Sequence, residues 1–368
     1  MRRDYIVAKS LVSFECTRLF ADEILCCLPV IRHSMGNGYA DCDNQLPLYR
    51  GFFLIQQDFV NLCRINTNIG KKKLVTTGKD DRSMKVLVTG VTGQLGHDCV
   101  NEFMSRGIEV RGVSSRDFSL TDETAVKNYL AEYRPDVVIH AAAYTAVDKA
   151  EDEQDVCMAV NADGTRYIAQ ACQDIDAKLI YISTDYVFPG EGEADYEVAD
   201  TKGPVNVYGR SKLAGEQAVQ ELLTKYFIVR ISWVFGINGK NFIRTMLKLA
   251  ASHKELTVVD DQVGSPTYTR DLAILLADMA ATEKYGIYHA TNEGVCSWAE
   301  LAEEVFRQAG KEVTVTPVPS SAYPTKAQRP KNSRLSKASL TAAGFSLLPR
   351  WQDAVGRYLI ELQSVDTL

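Results

Sequence analysis

The stretch VTGVTGQLG, residues 88–96, limits what this chain can fold into more than any other part of it. Gly90, Gly93 and Gly96 follow the apolar run KVLV and precede GHDCVNEFMSRG, whose spacing reads as a helix ended by Gly107. In such a turn the first glycine permits the tight bend, the second lets the backbone approach a phosphate, and the third lets helix and strand pack closely. Amides at the start of the helix would then face the anion. A bare glycine pattern is weak evidence, and its place between a strand and a helix gives it weight.

The rest of the chain repeats the same rhythm. EVRGVS reads as a strand, and TDETAVKNYLAEYRP as a helix opening at Thr121 and closing before Pro135. DVVIHAAA and KLIYIST are further apolar strands separated by a helical stretch around VCMAVNADGTRYIAQACQ, and YFIVRISWVFG supplies another. Alternation of this kind predicts an α/β fold, a Rossmann-type doubly wound parallel sheet with helices on both faces. Beyond residue 240 the segments shorten, with NFIRTMLKLAA and SWAELAEEVFRQAG as amphipathic helices, as expected of a smaller C-terminal substrate-binding lobe. The expected division is 84–240 mainly for the NAD(P)-binding Rossmann domain and 241–368 mainly for the substrate lobe, with some chain crossing between them.

Residues 1–83 carry no clear amphipathic period, repeat or chemical motif, and end in the polar run KKKLVTTGKDDRS. They read as an N-terminal extension of unknown role, with Met84 favoured as the natural start over a family-specific extension. The formal net charge of -6 argues against general nucleic-acid binding. None of the nine cysteines forms a CxxC pair, so neither a zinc site nor a disulfide framework is indicated, and the main body reads as reduced and cytoplasmic. No stretch reaches the roughly eighteen uninterrupted apolar residues of a membrane span.

Cofactor choice rests on GVSSRDFSLTD at the end of the second strand. Ser114, Ser115 and Arg116 suit the 2′-phosphate of NADPH, whereas Asp117 stands near the position of an acid that would bind the ribose of NADH, so both cofactors stay open. Within VYGRSKLAGE, Tyr208 and Lys212 fall one helical turn apart on one face. A lysine charge beside a phenol favours the phenolate, which predicts a lowered Tyr208 pKa and a usable proton donor. The spacing alone is common; its place after the glycine loop and after the hydroxyls of Ser183 and Thr184 in YISTDYVF is what singles it out.

The ordered set TGVTGQLG, AAAYTAVDKAE, STDYVFPG, YGRSKLAGE, RISWVFG, DDQVGSPTYTRDLA and RPKNSRL resembles the dTDP-4-dehydrorhamnose reductase family, a branch of the extended short-chain dehydrogenase/reductases, over residues 84 to about 363. The resemblance implies reduction of the C4 keto group of dTDP-4-dehydro-L-rhamnose by NAD(P)H. It makes Tyr208 the general acid, Lys212 its electrostatic partner and ribose ligand, and Thr184 a hydrogen-bond donor to the reacting oxygen. By the same resemblance Asp185, Trp233 and Arg329 face the sugar nucleotide, Arg329 at its diphosphate. Gly93, Gln94 and Leu95 would contact the pyrophosphate, and Ala142, Ala143 and Tyr144 would line the cofactor. Ser119 and Leu120 stand where the family usually has an aspartate before an apolar residue near the adenine. Magnesium and a homodimer are allowed by the resemblance, although no carboxylate cluster has convincing ligand spacing. Two rival readings are an NAD-dependent sugar-nucleotide epimerase and a noncatalytic regulatory subunit of the methionine adenosyltransferase type.

Overall fold

The computed structural model describes residues 84–366, so the expectation for residues 1–83 lies outside the described residues. Its centre is a parallel sheet of β1 (Lys85–Thr89), β2 (Glu109–Val113), β3 (Val137–His140), β4 (Lys178–Thr184), β5 (Tyr226–Ile231) and β6 (Gly286–His289), ordered β2-β1-β3-β4-β5-β6. Every pairing is parallel, from Val86 opposite Val110 on one side of β1 to Val86 opposite Val137 on the other. The chain moves outward from β1 to β2 and then returns to the opposite side of β1 for β3. That reversal leaves a crevice beyond the carboxyl ends of β1 and β3, where ligands of such sheets bind.

Side-chain alternation along β1 explains the layers. Val86 and Val88 face one way and pack with Leu95 and Phe103 of α1 (Gln94–Ser105). Leu87 faces the other way and joins Val126 and Leu130 of α2 (Glu123–Tyr133), Ile168 of α3 (Gly164–Ile175) and Val219 of α4 (Val207–Leu222). A strand buried on both faces is the reason Val86, Leu87 and Val88 are apolar in succession. Asp122, rather than Thr121, caps α2 by accepting from the Ala125 amide at 3.0 Å. A carboxylate offered to free amides at a helix start outcompetes the neighbouring hydroxyl.

Three more helices, α5 (Phe242–Ala250), α7 (Trp298–Gln308) and α8 (Trp351–Asp366), form a lobe around Phe235, Ile243, Tyr268, Phe306 and Tyr358. Between α5 and α7 the chain returns to the sheet, adding α6 (Thr269–Ala280) beside α1 and then β6. Arg357 of α8 grips Asp271 of α6 with two hydrogen bonds of 2.6 and 2.8 Å, and Asn292 donates to the same carboxylate at 2.7 Å.

Beneath α4 lies a second ion pair, fully buried. Arg230 of β5 donates to both carboxylate oxygens of Glu216 at 2.8 and 2.7 Å, Ser183 of β4 donates to Glu216 at 2.5 Å, and Arg230 also reaches the Val198 carbonyl at 3.1 Å.

The glycine turn is as tight as its sequence suggests. Gly90 has φ +74°, and a Cβ placed on Gly96 would lie 2.2 Å from the Gly90 carbonyl oxygen. Gly96→Ala should therefore push α1 off β1 and cost on the order of 1–3 kcal/mol of stability, as overpacking does. Thermal melting would register this, and an unchanged midpoint would refute the close approach.

Candidate active site

A cavity of about 770 Å³ opens beyond the carboxyl ends of β1, β3, β4 and β5. Gly90, Gly93, Gln94, Leu95 and Gly96 line it at the turn into α1, whose N-cap Gly93 has no side chain satisfying the helix start. The Gln94 side-chain oxygen accepts from the Gly236 amide and the Asn241 side chain, both at 2.9 Å, which ties the turn to the lobe. Ser115, Ser119 and Leu120 also line the cavity, as do Ala142 and Ala143.

Two expected cofactor residues stand apart from this lining. Arg116 is exposed, while the neighbouring Asp117 carboxylate accepts from the Ser114 amide at 2.8 Å and its hydroxyl at 3.1 Å. That carboxylate closes its own turn, although Asp117 is exposed as Arg116 is. Tyr144 is drawn away by Glu153, to which its hydroxyl donates at 2.8 Å, and its amide donates to Asn161 at 2.7 Å.

Thr184, Asp185, Tyr208 and Lys212 converge on the same cavity. Asn206 caps α4 by accepting from the Gly209 amide at 2.8 Å and starts the helix just before Tyr208. Gly209 is required because a Cβ there would lie 2.3 Å from the Tyr186 carbonyl oxygen. Lys212, 3% exposed, sits with its ammonium 4.1 Å from the centre of the Tyr181 ring. Burial lowers its pKa to about 7 against opposing attraction from Glu216.

The expected lowering of the Tyr208 pKa is not what the protein groups produce. Burial, reinforced by the Asp185 charge, pushes the phenol up, and its hydrogen bond with Thr184 only partly opposes this. A lysine titrating near neutrality holds less charge than the sequence argument assumed. Asp185 is itself raised to about 6 by burial, although hydrogen bonds from Ser333 at 2.5 Å and Thr184 at 3.0 Å favour its charged form.

Trp233 lines the cavity and stacks on Trp298, which lines it too. Arg329 does not line it: its guanidinium is held by Asp148, at 2.6 and 3.1 Å, on the short helix Val147–Ala150. Sequence reasoning missed Trp298, Ser333 and the Glu216–Arg230 pair. Glu216 had a signal, because Tyr208, Lys212 and Glu216 follow one another at helical i, i+4 spacing. Ser333 lies in the quoted motif RPKNSRL, but its pairing with Asp185, 148 residues away, had no local signal. Among the described residues no group of three or more His, Cys, Asp or Glu side chains is placed to hold a metal ion, and no helix is long and apolar enough to cross a membrane.

A family model described as the RmlD substrate binding domain matches residues 84–364. A dTDP-4-dehydrorhamnose reductase of Streptomyces griseus is 44% identical over 276 residues, covering 73% of this chain and 91% of that protein. The spore coat polysaccharide biosynthesis protein SpsK of Bacillus subtilis is 40% identical over 281 residues, covering 76% and 98%. A crystal structure of dTDP-4-dehydrorhamnose reductase from Bacillus anthracis in complex with NADP matches with a TM-score of 0.75 and 41% identity, covering 76% of this chain and all of that one.

The buried lysine makes a prediction of definite sign. Its pKa falls from 10.5 to about 7 on folding, so between those values the unfolded chain binds a proton that the folded chain has released. This group therefore makes stability rise with pH across that window, and its destabilising effect is complete below about 7. Lys212→Met should melt at a higher temperature than the unaltered chain near pH 6, with the gap narrowing towards about pH 9. A gap that widens with pH would contradict the burial argument.

Proposed function

Since the chain belongs to the dTDP-4-dehydrorhamnose reductase family, defined by the RmlD substrate binding domain, we propose that it reduces the C4 keto group of dTDP-4-dehydro-L-rhamnose to give dTDP-L-rhamnose, with NADPH as reductant. The observation that carries this reading is the convergence of Thr184, Tyr208 and Lys212 on the cavity that the glycine turn also lines. The residues fit a dinucleotide: Gly93 caps α1 without a side chain, which leaves the start of the helix for an anion.

Gly90, Gly93, Gln94, Leu95 and Gly96 would hold the pyrophosphate, with Ser115 and Arg116 at the 2′-phosphate, Ser119 and Leu120 at the adenine, and Ala142 and Ala143 along the remainder. When bound, the dihydronicotinamide supplies the two electrons and one hydrogen that reduce the carbonyl carbon. Tyr208 gives its phenolic proton to the oxygen that becomes the new hydroxyl. Thr184 turns its hydroxyl proton from Asp185 to donate a hydrogen bond to the same oxygen, and a protonated Lys212 offsets the phenolate left behind. Stabilisation aimed at charge that develops during the reaction accelerates it, rather than only tightening binding. Asp185 borders the sugar, and Arg329 exchanges the Asp148 carboxylate for the diphosphate of the substrate. A cytoplasmic setting belongs to the same reading, with Cys99, Cys157, Cys172 and Cys296 buried as free thiols.

The deciding assay follows NADPH consumption with dTDP-4-dehydro-L-rhamnose and identifies the product. Net oxidation with formation of dTDP-L-rhamnose is expected. Tightly held oxidised NAD without net turnover would instead indicate an epimerase, and absence of turnover altogether would favour a noncatalytic role. Tyr208→Phe should lower kcat by about two to four orders of magnitude with NADPH binding nearly intact; near-normal kcat would remove Tyr208 from the mechanism. Arg116→Ala should weaken NADPH several-fold and leave NADH almost unchanged, since an exposed pair is worth roughly 1 kcal/mol. Equal loss for both cofactors would point to a different ribose contact.

A further inference from the structure

We propose that Trp298 is a specificity-determining positioning residue: stacked on Trp233, it makes the two indoles a fixed carbon wall that selects a flat, apolar face of the sugar nucleotide. This rests on the reading of the cavity as a sugar-nucleotide site.

Trp233 adopts φ +48°, a left-handed conformation that bulky side chains rarely take. Among the described residues the other two non-glycine positions with positive φ, Arg134 and Asp176, end helices, where that conformation is ordinary. At Trp233 it is imposed by buried neighbours. The Thr267 amide donates to the Trp233 carbonyl at 3.1 Å, the Thr267 hydroxyl to the Ser232 carbonyl at 2.6 Å, and the Ser232 hydroxyl to the Ser265 carbonyl at 2.7 Å. Strain maintained by so many bonds at a cavity residue points to a use for the ring it aims.

The ring is held as firmly as the backbone. Trp298 stacks on it with centroids 3.7 Å apart and planes 13° apart, and a Cβ on Gly264 would lie 3.1 Å from Trp233 Cε2. Trp298 opens α7, whose start is fixed by reciprocal hydrogen bonds between Ser297 and Glu300. Phe242 packs on it at 4.7 Å, and its indole N–H donates to Gln262 at 3.2 Å. With that one polar group engaged, Trp298 offers the cavity only carbon. Such a surface suits a pyranose carrying a methyl group in place of a hydroxymethyl, or the face of a thymine base.

The test begins with the unaltered protein saturated with NADPH. Stacked indoles give a paired band in far-ultraviolet circular dichroism, and dTDP-L-rhamnose should perturb it. If dTDP alone leaves the band unchanged, the sugar is the face selected; if dTDP perturbs it equally, the base is. A band that responds to neither overturns the proposal. Trp298→Ala should abolish the band and raise KM for dTDP-4-dehydro-L-rhamnose roughly threefold to tenfold, the size of an aromatic contact, with kcat and the NADPH Kd changed less than about twofold. Trp298→Phe should restore most of the KM. Loss of the band in Trp298→Ala with KM unchanged, or a fall in kcat without a rise in KM, also overturns it. Failure of the underlying functional reading looks different: the unaltered protein would bind NADPH, show the band and turn over no dTDP-4-dehydro-L-rhamnose.

Discussion

The buried pair of Glu216 and Arg230 joins more of this molecule than any other polar contact described. Glu216 lies on α4, one turn beyond Lys212, while Arg230 lies on β5. Ser183 brings in β4, His289 brings in β6 with its ring 3.3 Å from Arg230, and the Val198 carbonyl brings in the segment that follows β4. Two charges taken out of water are costly unless their hydrogen bonds are complete. Here the carboxylate receives three bonds and the guanidinium is packed against the Phe188 ring. The consequence is directional. The helix that presents Tyr208 can sit on the sheet in only one register, because a slip would strand a buried charge.

The same carboxylate acts on the chemistry. Burial alone would drive Lys212 towards the neutral form, and Glu216 is the main opposing influence. Lys212 thus titrates close to neutrality, able both to carry charge beside a developing phenolate and to release a proton. Position and proton affinity come from one structural unit, and neither is set by Tyr208 and Lys212 alone.

The features legible in the sequence are those built from neighbours along the chain. The glycine turn, the strand runs and the i, i+4 spacing of Tyr208 and Lys212 each express local geometry, and all follow from residue types and their order. What escaped depends on side-chain rotamers, on burial or on partners far apart. Whether the Asp117 carboxylate is free to meet a ribose is decided by hydrogen bonds from Ser114, a matter of rotamers that residue types do not report. Tyr144 lies in a motif that suggests cofactor contact, yet Glu153 turns its ring aside. Arg329 meets Asp148 across 181 positions, and the direction of the Tyr208 pKa depends on burial that spacing cannot measure.

The lobe is assembled from two stretches of chain, one between β5 and α6 and the other after β6. It is therefore not a cassette. Exchanging it with that of another sugar-nucleotide enzyme requires three joints instead of one, and two of them flank an intervening helix and strand that belong to the sheet. Asn292, Asp271 and Arg357 bond across this junction, so each transplanted half must bring or keep its share of one shared carboxylate. Changes of substrate in such an architecture are easier by replacing individual wall residues than by recombination, and the cofactor half of the molecule is thereby shielded from them.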